Sequence, residues 1–417
     1  MKLRDLSLLE FENFINNQEL ATHYQSSNYA LLMAEDGYDY DFIGYVDDLN
    51  NIIAASMILF KPLKGRLKYG YAPRGFVLDY FNRTLVKEFS DALREHYKKK
   101  HVVFIKINPE IAIAQIDTKT HEKTYNWNLE VINTLEENGY YKLKDNLYFE
   151  AKFPKYNGIV NLKEMKFENF TKNCKNKIRK TRTKGLKIEL AERSGIDVLY
   201  PFIRNKKLET DKFYKTYYNV FQKNDMIDLF LVSINTREFL LTANHLYEQE
   251  SDNNQKLNQL LIKDSSEKNM NKKLNSDKLL LKYKNDVLEA TMKNTETDKI
   301  YIAGAIVLKF HNRVQILFSG FDKKYQHFNP NYFLHNEILH YYRDTHYFAD
   351  LNGLTGDFTK NNPYYGLNEF KMGFNPNLYE FIGEFDFVIE PYKYQKFLKL
   401  GIISQLFKKK NEKTDSL

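Results

Sequence analysis

Apolar and polar positions along the first quarter of the chain read as strands over 41–46, 52–60 and 67–71, each bounded by turn-forming residues. A loop with Pro73-Arg74-Gly75 follows, then a helix over 82–100 and an apolar strand over 101–107. The same order returns late in the chain. Strands over 229–234, 301–310 and 314–319 lead to a loop with Asn329-Pro330-Asn331, a helix over 332–345 and a strand over 347–351. Recurrence of element order at this length scale signals an internal duplication.

Each copy is a meander feeding a helix and then a strand, which predicts an α+β fold with mixed sheets. The unit resembles the N-acetyltransferase (GNAT-like) fold, so two tandem GNAT-like domains are expected, over 1–152 and 153–417. The copies differ at one turn. The first has a short connection over 47–51, whereas the second has a long insertion over 236–298. Leucines there (Leu240, Leu241, Leu246, Leu257, Leu260, Leu261, then Leu274, Leu279, Leu281 and Leu288) fall at helical spacing around a polar stretch over 265–273. This predicts an antiparallel helical coiled-coil arm. The alternative is a disordered loop, since the insertion is rich in Lys, Asn and Asp.

A length of 417 residues exceeds what one hydrophobic core usually serves, in line with two domains. The single cysteine, Cys174, excludes an internal disulfide and a cysteine-cluster metal site and fits a reducing cytosol. Lysines around Cys174 would lower a thiol pKa, but no histidine partner is near it in sequence. No apolar run approaches the roughly 20 residues that span a bilayer, and the N-terminus lacks a signal-peptide core, so a cytoplasmic protein is expected. A net charge of +8 points to a polyanionic partner only where positive residues cluster.

They cluster twice. Lys175, Lys177, Arg179, Lys180, Arg182 and Lys184 fall on one segment without an acidic residue, read as a helix ended by Gly185. That run is a candidate RNA-phosphate surface, with a solvated helix face as the alternative. The second cluster is the tail over 392–417, where Tyr394, Phe397, Leu398, Ile402, Leu406 and Phe407 alternate with lysines. Such a basic amphipathic tail suits an interfacial membrane helix, and packing of its apolar stripe on the protein body is equally open.

The densest chemical signature is Tyr365-Gly366-Leu367-Asn368-Glu369-Phe370-Lys371-Met372-Gly373-Phe374, followed by Gly383-Glu384-Phe385-Asp386. It sets Lys371 on an aromatic-lined segment, where burial would hold an ammonium close to reacting atoms; the alternative is an exposed lysine beside core aromatics. Together with Tyr71-Ala72-Pro73-Arg74-Gly75-Phe76 and Phe328-Asn329-Pro330-Asn331-Tyr332, these segments resemble the Fem family of peptidoglycan-branching aminoacyltransferases over nearly the whole chain.

The resemblance implies transfer of an amino acid from aminoacyl-tRNA to the stem peptide or bridge of a lipid-linked peptidoglycan precursor, without metal or acetyl-CoA. It further implies peripheral contact with the inner membrane surface and related Fem-type proteins as partners. Aminolysis of an ester needs the developing oxyanion to be stabilised. By resemblance, Lys371 and Phe370 match the family's catalytic lysine and the aromatic residue before it. Tyr217 and Tyr218 match tyrosines near the precursor site, though two tyrosines on a helix also read as core. Arg74 would reach a phosphate or else hold its own loop. Two departures stand out. Gln25-Ser26 is followed by Tyr29, Leu31, Leu32 and Met33 where the family often has a lysine for the precursor's diphosphate. Ile107-Asn108-Pro109 stands where some members have Ile-Asp-Pro, and Asn108 can accept a hydrogen bond but cannot act as a carboxylate base. Loss of catalysis, leaving an RNA-binding or scaffold protein, is the rival reading. An acetyl-CoA enzyme would need a glycine-rich pyrophosphate loop, which neither Arg74-Gly75 nor Asn329-Pro330 supplies.

Overall fold

A computed structural model of the chain describes residues 1–145, 147–149, 151–181, 184–204 and 209–406. In chain order the strands are β1 (Lys2–Asp5), β2 (Asp39–Val46), β3 (Ile52–Lys64), β4 (Leu67–Ala72), β5 (Val102–Ile107), β6 (Ala112–Ile116), β7 (Lys123–Tyr125) and β8 (Tyr140–Lys142). They continue with β9 (Tyr156–Asn161), β10 (Leu186–Ala191), β11 (Ile227–Asn235), β12 (Lys299–Phe310), β13 (Arg313–Phe321), β14 (Phe348–Leu354), β15 (Asn377–Phe381) and β16 (Phe385–Val388). Among the described residues they make a seven-stranded sheet, β1-β2-β3-β4-β5-β16-β8, and a nine-stranded sheet, β10-β11-β12-β13-β14-β9-β15-β6-β7.

The repeated order of elements is visible in both sheets. β2, β3 and β4 form an antiparallel meander; the helix Arg83–Lys99 crosses over, and β5 returns parallel to β4. β11, β12 and β13 do the same, the helix Pro330–Tyr342 crosses, and β14 returns parallel to β13. Every residue of β5 is buried, as a central parallel strand requires. Its one charge, Lys106, sits opposite Asp386 of β16 in register and pairs with it at 3.0 Å.

The sheets exchange strands across the 152/153 position. β16 comes from the end of the chain into the first sheet, and β6 and β7 pass from the first half into the second. One apolar cluster also spans both, joining Met57, Leu59 and Tyr71 to Leu229, Leu231, Ile306 and Leu308 through the helices Ser27–Glu35, Gly195–Ile203 and Asp211–Gln222.

In the first copy, the β2–β3 turn is closed by the Asp47 carboxylate, which accepts from the N–H groups of Leu49 and Asn51. In the second, the helices Thr236–Lys263 and Glu267–Glu296 fold back on each other at that place. Where they meet, Ser276 of the second helix is buried, while Asn269 bonds Asp264 in the connection and Ala290 lies in the apolar cluster of the second sheet. The middle of the helix pair is polar: Asn254 Nδ2 donates to Ser276 Oγ at 3.0 Å and to Asp277 Oδ1 at 2.9 Å.

The tail does not present its apolar stripe outward. Tyr394, Phe397 and Ile403 of the helices Pro391–Lys399 and Ile402–Leu406 are buried against Tyr69, Val103 and Phe104 of the first sheet, and Tyr394 donates to Asp386 at 2.8 Å. Burial of such side chains on a sheet face stabilises by about 1.5–3 kcal/mol each relative to exposure to water. Phe407 and the lysines after it lie outside the described residues. Phe397→Ala is expected to lower the unfolding free energy by about 3–5 kcal/mol in urea titrations. A change under about 1 kcal/mol would mean that the tail is undocked in solution.

Candidate active site

The parallel strands β13 and β14 part after Gln315 and Asp350, whereas β4 and β5 stay paired to their ends at Ala72 and Ile107, and polar groups collect beyond these C-terminal ends. After Ala72 the chain turns through Pro73 and Arg74. Gln25 holds this turn: its Nε2 donates to Pro73 O at 2.8 Å and Met57 O at 3.1 Å, and its Oε1 accepts from Met57 N–H. A side chain on Gly75 would meet Gln25 Nε2 at 2.8 Å, so the position has room only for glycine. Arg74 itself adopts φ +54°, and Asn108 Oδ1 accepts its N–H at 2.8 Å.

The Arg74 guanidinium turns inward between the rings of Phe153 and Phe381. Its Nε lies 3.1 Å from one oxygen of Glu110, whose other oxygen accepts from Arg313 Nη1 at 2.6 Å. Arg313 Nη2 donates to Asp350, which also accepts from Asn157 and Gln315 side chains and from the N–H of Asn352. Burial pushes the Glu110 carboxyl up, but the Arg313 and Arg74 guanidiniums outweigh it and hold it below its usual range. His23 is close by, and burial pushes its imidazole down to about 3, so it is neutral.

Two cavities flank this line of charges. One, of about 140 Å³, is lined by His23, Glu110, Arg313 and Gln315. The other, of about 20 Å³, is lined by Arg74, Asn108, Pro154, Lys155 and Glu384. Burial pushes the Glu384 carboxyl up, with Lys106 opposing at 3.9 Å. Glu384 Oε1 and Asn108 Nδ2 are buried without a hydrogen-bond partner among the described residues. Lys155 is held by Glu380 at 2.8 Å and Asp145 at 2.7 Å.

Lys371 lies on the helix Tyr365–Met372 and is 8% exposed, so the reading of an exposed lysine does not hold. Its Nζ donates to Gly353 O at 2.6 Å, in the strand that carries Asp350. Gly353 packs so closely on Pro154 that an added Cβ would lie 2.4 Å from it, and Pro154 lines the smaller cavity. Asn368 ties the helix down: its Oδ1 accepts from Thr355 N–H at 3.0 Å, and its Nδ2 donates to Thr355 O at 3.2 Å. Phe370 meets Tyr332, His335 and Phe374 edge to face, with centroids 4.8, 4.8 and 5.5 Å away.

The helix Lys172–Thr181 abuts this lysine-bearing helix. Thr171 N–H donates to Gly373 O at 3.0 Å, Asn173 Nδ2 to Glu369 Oε1 at 3.2 Å, and Lys177 Nζ to Tyr332 Oη at 3.2 Å. The other cations of the run are placed unequally. Lys175 donates to Glu168 O, Arg179 lies over the Phe167 ring, and Lys180 is exposed. Lys184 donates to His327 O at 2.7 Å, and burial pushes its ammonium down to about 8. Arg182 lies outside the described residues. Cys174 is buried against this junction, and burial pushes its thiol up to about 12, the reverse of the activation that neighbouring lysines suggested.

Thus Arg74 and Asn108 are brought together, whereas Lys371 and Phe370 line neither cavity: Lys371 is connected to the smaller one through Gly353 and Pro154, and Phe370 lies among Tyr332, His335 and Phe374. Tyr217 and Tyr218 are not among the residues lining these cavities; both are buried in the cluster shared by the two sheets, where Tyr217 stacks on Phe221 at 4.8 Å. Glu110, Arg313, Asp350 and Lys155 were not singled out from the sequence. Glu110 follows Asn108-Pro109, a tripeptide already conspicuous, and Glu384 is part of a conspicuous motif, so a signal existed for both. For Arg313 and Asp350 none did. Among the described residues one group has metal-ligating types together, Asp5, Asp41 and His96, and Lys100 Nζ already bridges its carboxylates at 3.8 and 2.8 Å.

The model of the FemAB family matches residues 6–400. Aminoacyltransferase FemB of Staphylococcus epidermidis is 26% identical over 426 residues, covering 98% of this chain and 100% of that protein. Aminoacyltransferase FemA of the same species is 24% identical over 402 residues, covering 92% of this chain and 95% of that one. The crystal structure of FemX superposes with a TM-score of 0.73 at 20% identity, covering 95% of this chain and 99% of that structure, which is a likeness of fold.

Glu110→Gln leaves two buried guanidiniums facing a neutral amide, and its expected cost is about 3–5 kcal/mol in urea unfolding. Because the folded carboxyl is held low, its contribution is complete above its unfolded value of about 4.3 and is lost as pH falls through the lower folded value. The variant should therefore show a flatter acid limb in a stability–pH profile. Parallel acid limbs in variant and wild type would show that Glu110 is not ion-paired in solution.

Proposed function

The chain belongs to the FemAB family and is an aminoacyltransferase, and on that premise we propose that it builds the interpeptide bridge of peptidoglycan. It moves an amino acid from aminoacyl-tRNA onto the stem peptide or bridge of a lipid-linked precursor, working at the inner surface of the membrane. Among the described residues no helix is long and apolar enough to cross a membrane, so that contact is peripheral in this reading.

The observation that carries the proposal is the junction of the basic helix Lys172–Thr181 with the helix of Lys371. Cations suited to phosphates and a buried lysine suited to an oxyanion stand on adjoining helices, which supports an RNA strand whose 3′ aminoacyl end reaches Lys371. The acceptor amine attacks the ester carbonyl, the carbonyl oxygen gains negative charge, and Lys371 exchanges its Gly353 carbonyl for that oxygen. The C–N bond forms in that attack; collapse of the tetrahedral adduct restores the carbonyl and breaks the C–O bond to the ribose, whose oxygen takes up the proton that the amine has given up. The proton lost by the amine goes to a carboxylate, since Asn108 cannot accept it as a base. Glu384, made more basic by burial and lining the cavity behind Pro154, is suited to that role. Phe370, locked among three rings, shapes the channel beside the ammonium.

Lys371→Met keeps the aliphatic stem and removes the charge. It is expected to bind both substrates nearly normally and to transfer on the order of 10² times more slowly in single-turnover assays with charged tRNA and precursor. Lys371→Arg should rescue poorly, because a broad planar head does not fit the place of a compact ammonium. Near-wild-type turnover in Lys371→Met would remove this residue from the mechanism.

Exchanging Lys175, Arg179 and Lys180 for Gln should weaken tRNA binding. It should also flatten the plot of log affinity against log salt by about 0.7–0.9 for each cation that faces a phosphate. An unchanged slope by fluorescence anisotropy would make this helix only a solvated face.

A further inference from the structure

The first sheet packs the tail's apolar stripe away, yet another surface leaves large apolar groups uncovered. Trp127 is 67% exposed, Tyr125 53%, Phe81 43% and Leu129 38%. They form one patch. Phe81, in the loop before the helix Arg83–Lys99, packs on Trp127 with ring centroids 4.2 Å apart. Tyr125 ends the edge strand β7, and the extended Asn126 places Tyr125 and Trp127 on the same side of the chain.

Two polar neighbours turn away from the patch, and the exposed charges beside it, Arg83 and Glu130, pair with each other at 3.3 Å. The side-chain amides of Asn126 and Asn128 both donate inward to Ala112 O, at 3.0 and 2.7 Å. A sugar platform would need such groups beside the rings to bind hydroxyls; here they are spent on the backbone, and what faces out is apolar with a phenol and an indole at its rim. That composition matches the wet, apolar boundary of a bilayer. Charges of the adjoining hairpin balance, Asp117 and Glu122 against Lys119 and Lys123, so attraction to the surface would be apolar rather than coulombic.

A chain of ion pairs also links the patch to the candidate active site. Lys123, two residues from Tyr125, pairs with Glu380 at 2.7 Å, Glu380 pairs with Lys155 at 2.8 Å, and Lys155 lines the cavity of Arg74 and Glu384.

We propose that Phe81, Tyr125, Trp127 and Leu129 form the surface by which this protein docks on the membrane interface, so that a lipid-linked acceptor enters from the patch toward the Arg74–Glu384 cavity. The inference rests on the proposed function for the acceptor, but not for the docking itself. An apolar patch of this size gives weak, reversible binding, and the lipid-linked substrate supplies the second anchor.

Trp127 is the only tryptophan of the chain, which makes it a native reporter. With phosphatidylcholine vesicles its emission is expected to shift to shorter wavelength, to be quenched by bromines on the acyl chains, and to keep that response in molar salt. Phe81→Ser with Tyr125→Ser retains the reporter and should reduce vesicle partition by on the order of tenfold. Deleting the tail from residue 407 on should not change it. Unaltered Trp127 emission at lipid concentrations that sediment the protein would overturn the proposal, as would binding abolished by salt or by that deletion. An emission shift produced by a soluble glycan without lipid would assign the patch to sugar instead and overturn it too. Transfer separates this from the enzymatic reading: the double variant should match wild type on a soluble, lipid-free precursor and be roughly tenfold slower on precursor held in vesicles. Failure of wild type on both precursors would count against the proposed function alone, with the vesicle result still deciding the docking surface. Equal rates on vesicle-borne precursor would overturn the patch as an entry.

Discussion

Arg74, Glu110, Arg313 and Asp350 form a buried line of alternating charge that the two sheets share, and much of the molecule is arranged to keep it paired. Bringing four charges out of water costs several kcal/mol per ion unless each finds opposite charge and hydrogen bonds. Here Glu110 and Arg313 each touch two opposite charges, and the terminal groups are completed by neutral donors and rings: Asn157 and Gln315 on Asp350, Phe153 and Phe381 on Arg74. The first two residues come from one copy of the repeated unit and the last two from the other, so the central Glu110–Arg313 pair is the contact that ties the copies together, and each copy keeps one ion pair of its own. This explains why Arg74 tolerates a left-handed backbone and why Gln25 and Asn108 spend their side chains on its loop.

The same line separates two cavities, and that has a chemical side. A carboxylate held ionised by two guanidiniums cannot accept a proton near neutrality, whereas Glu384, in the smaller cavity with its ammonium partner 3.9 Å away, is pushed toward the neutral form. Environments that drive two nearby carboxyls in opposite directions divide the labour between them. Glu110 is fixed as a structural anion, and Glu384 is left as the group whose protonation can change.

Much of the fold was legible because it repeats. Strand–strand–strand–helix–strand occurs twice with clear punctuation, and the expected ranges, such as 52–60 and 301–310, fall within β3 and β12. The burial of Lys371 was legible for a different reason: it falls among aromatics on a segment bounded by two glycines, although an exposed lysine fitted the same pattern. The exchange of strands across position 152/153 was not legible, since β6, β7 and β16 are short and their partners are chosen by register rather than composition. Nor was the tail's resting place, because an apolar stripe with basic flanks looks alike whether a membrane or a sheet covers it. Arg313 and Asp350 stayed hidden because a charge on a strand is ordinary until its partner from 200 residues away is placed beside it.

The resting hydrogen bond of Lys371 bears on how the site would act. A buried ammonium needs partners at all times, and Gly353 O at 2.6 Å provides one in the absence of substrate. That carbonyl is neutral, so an oxygen acquiring full negative charge would compete well for the same donor, while the ground-state ester carbonyl, no more polar than Gly353 O, would not. In the proposed mechanism such an exchange would favour the transition state over the bound substrate, which is the condition for an interaction to raise turnover rather than affinity. Gly353 is suited to the part because its contact with Pro154 leaves no room for a side chain, and Asn368 clamps the lysine's helix to Thr355 two residues farther on. Lys371 and Gly353 are thus carried by one strand–helix unit, fixed through Asn368 and Thr355.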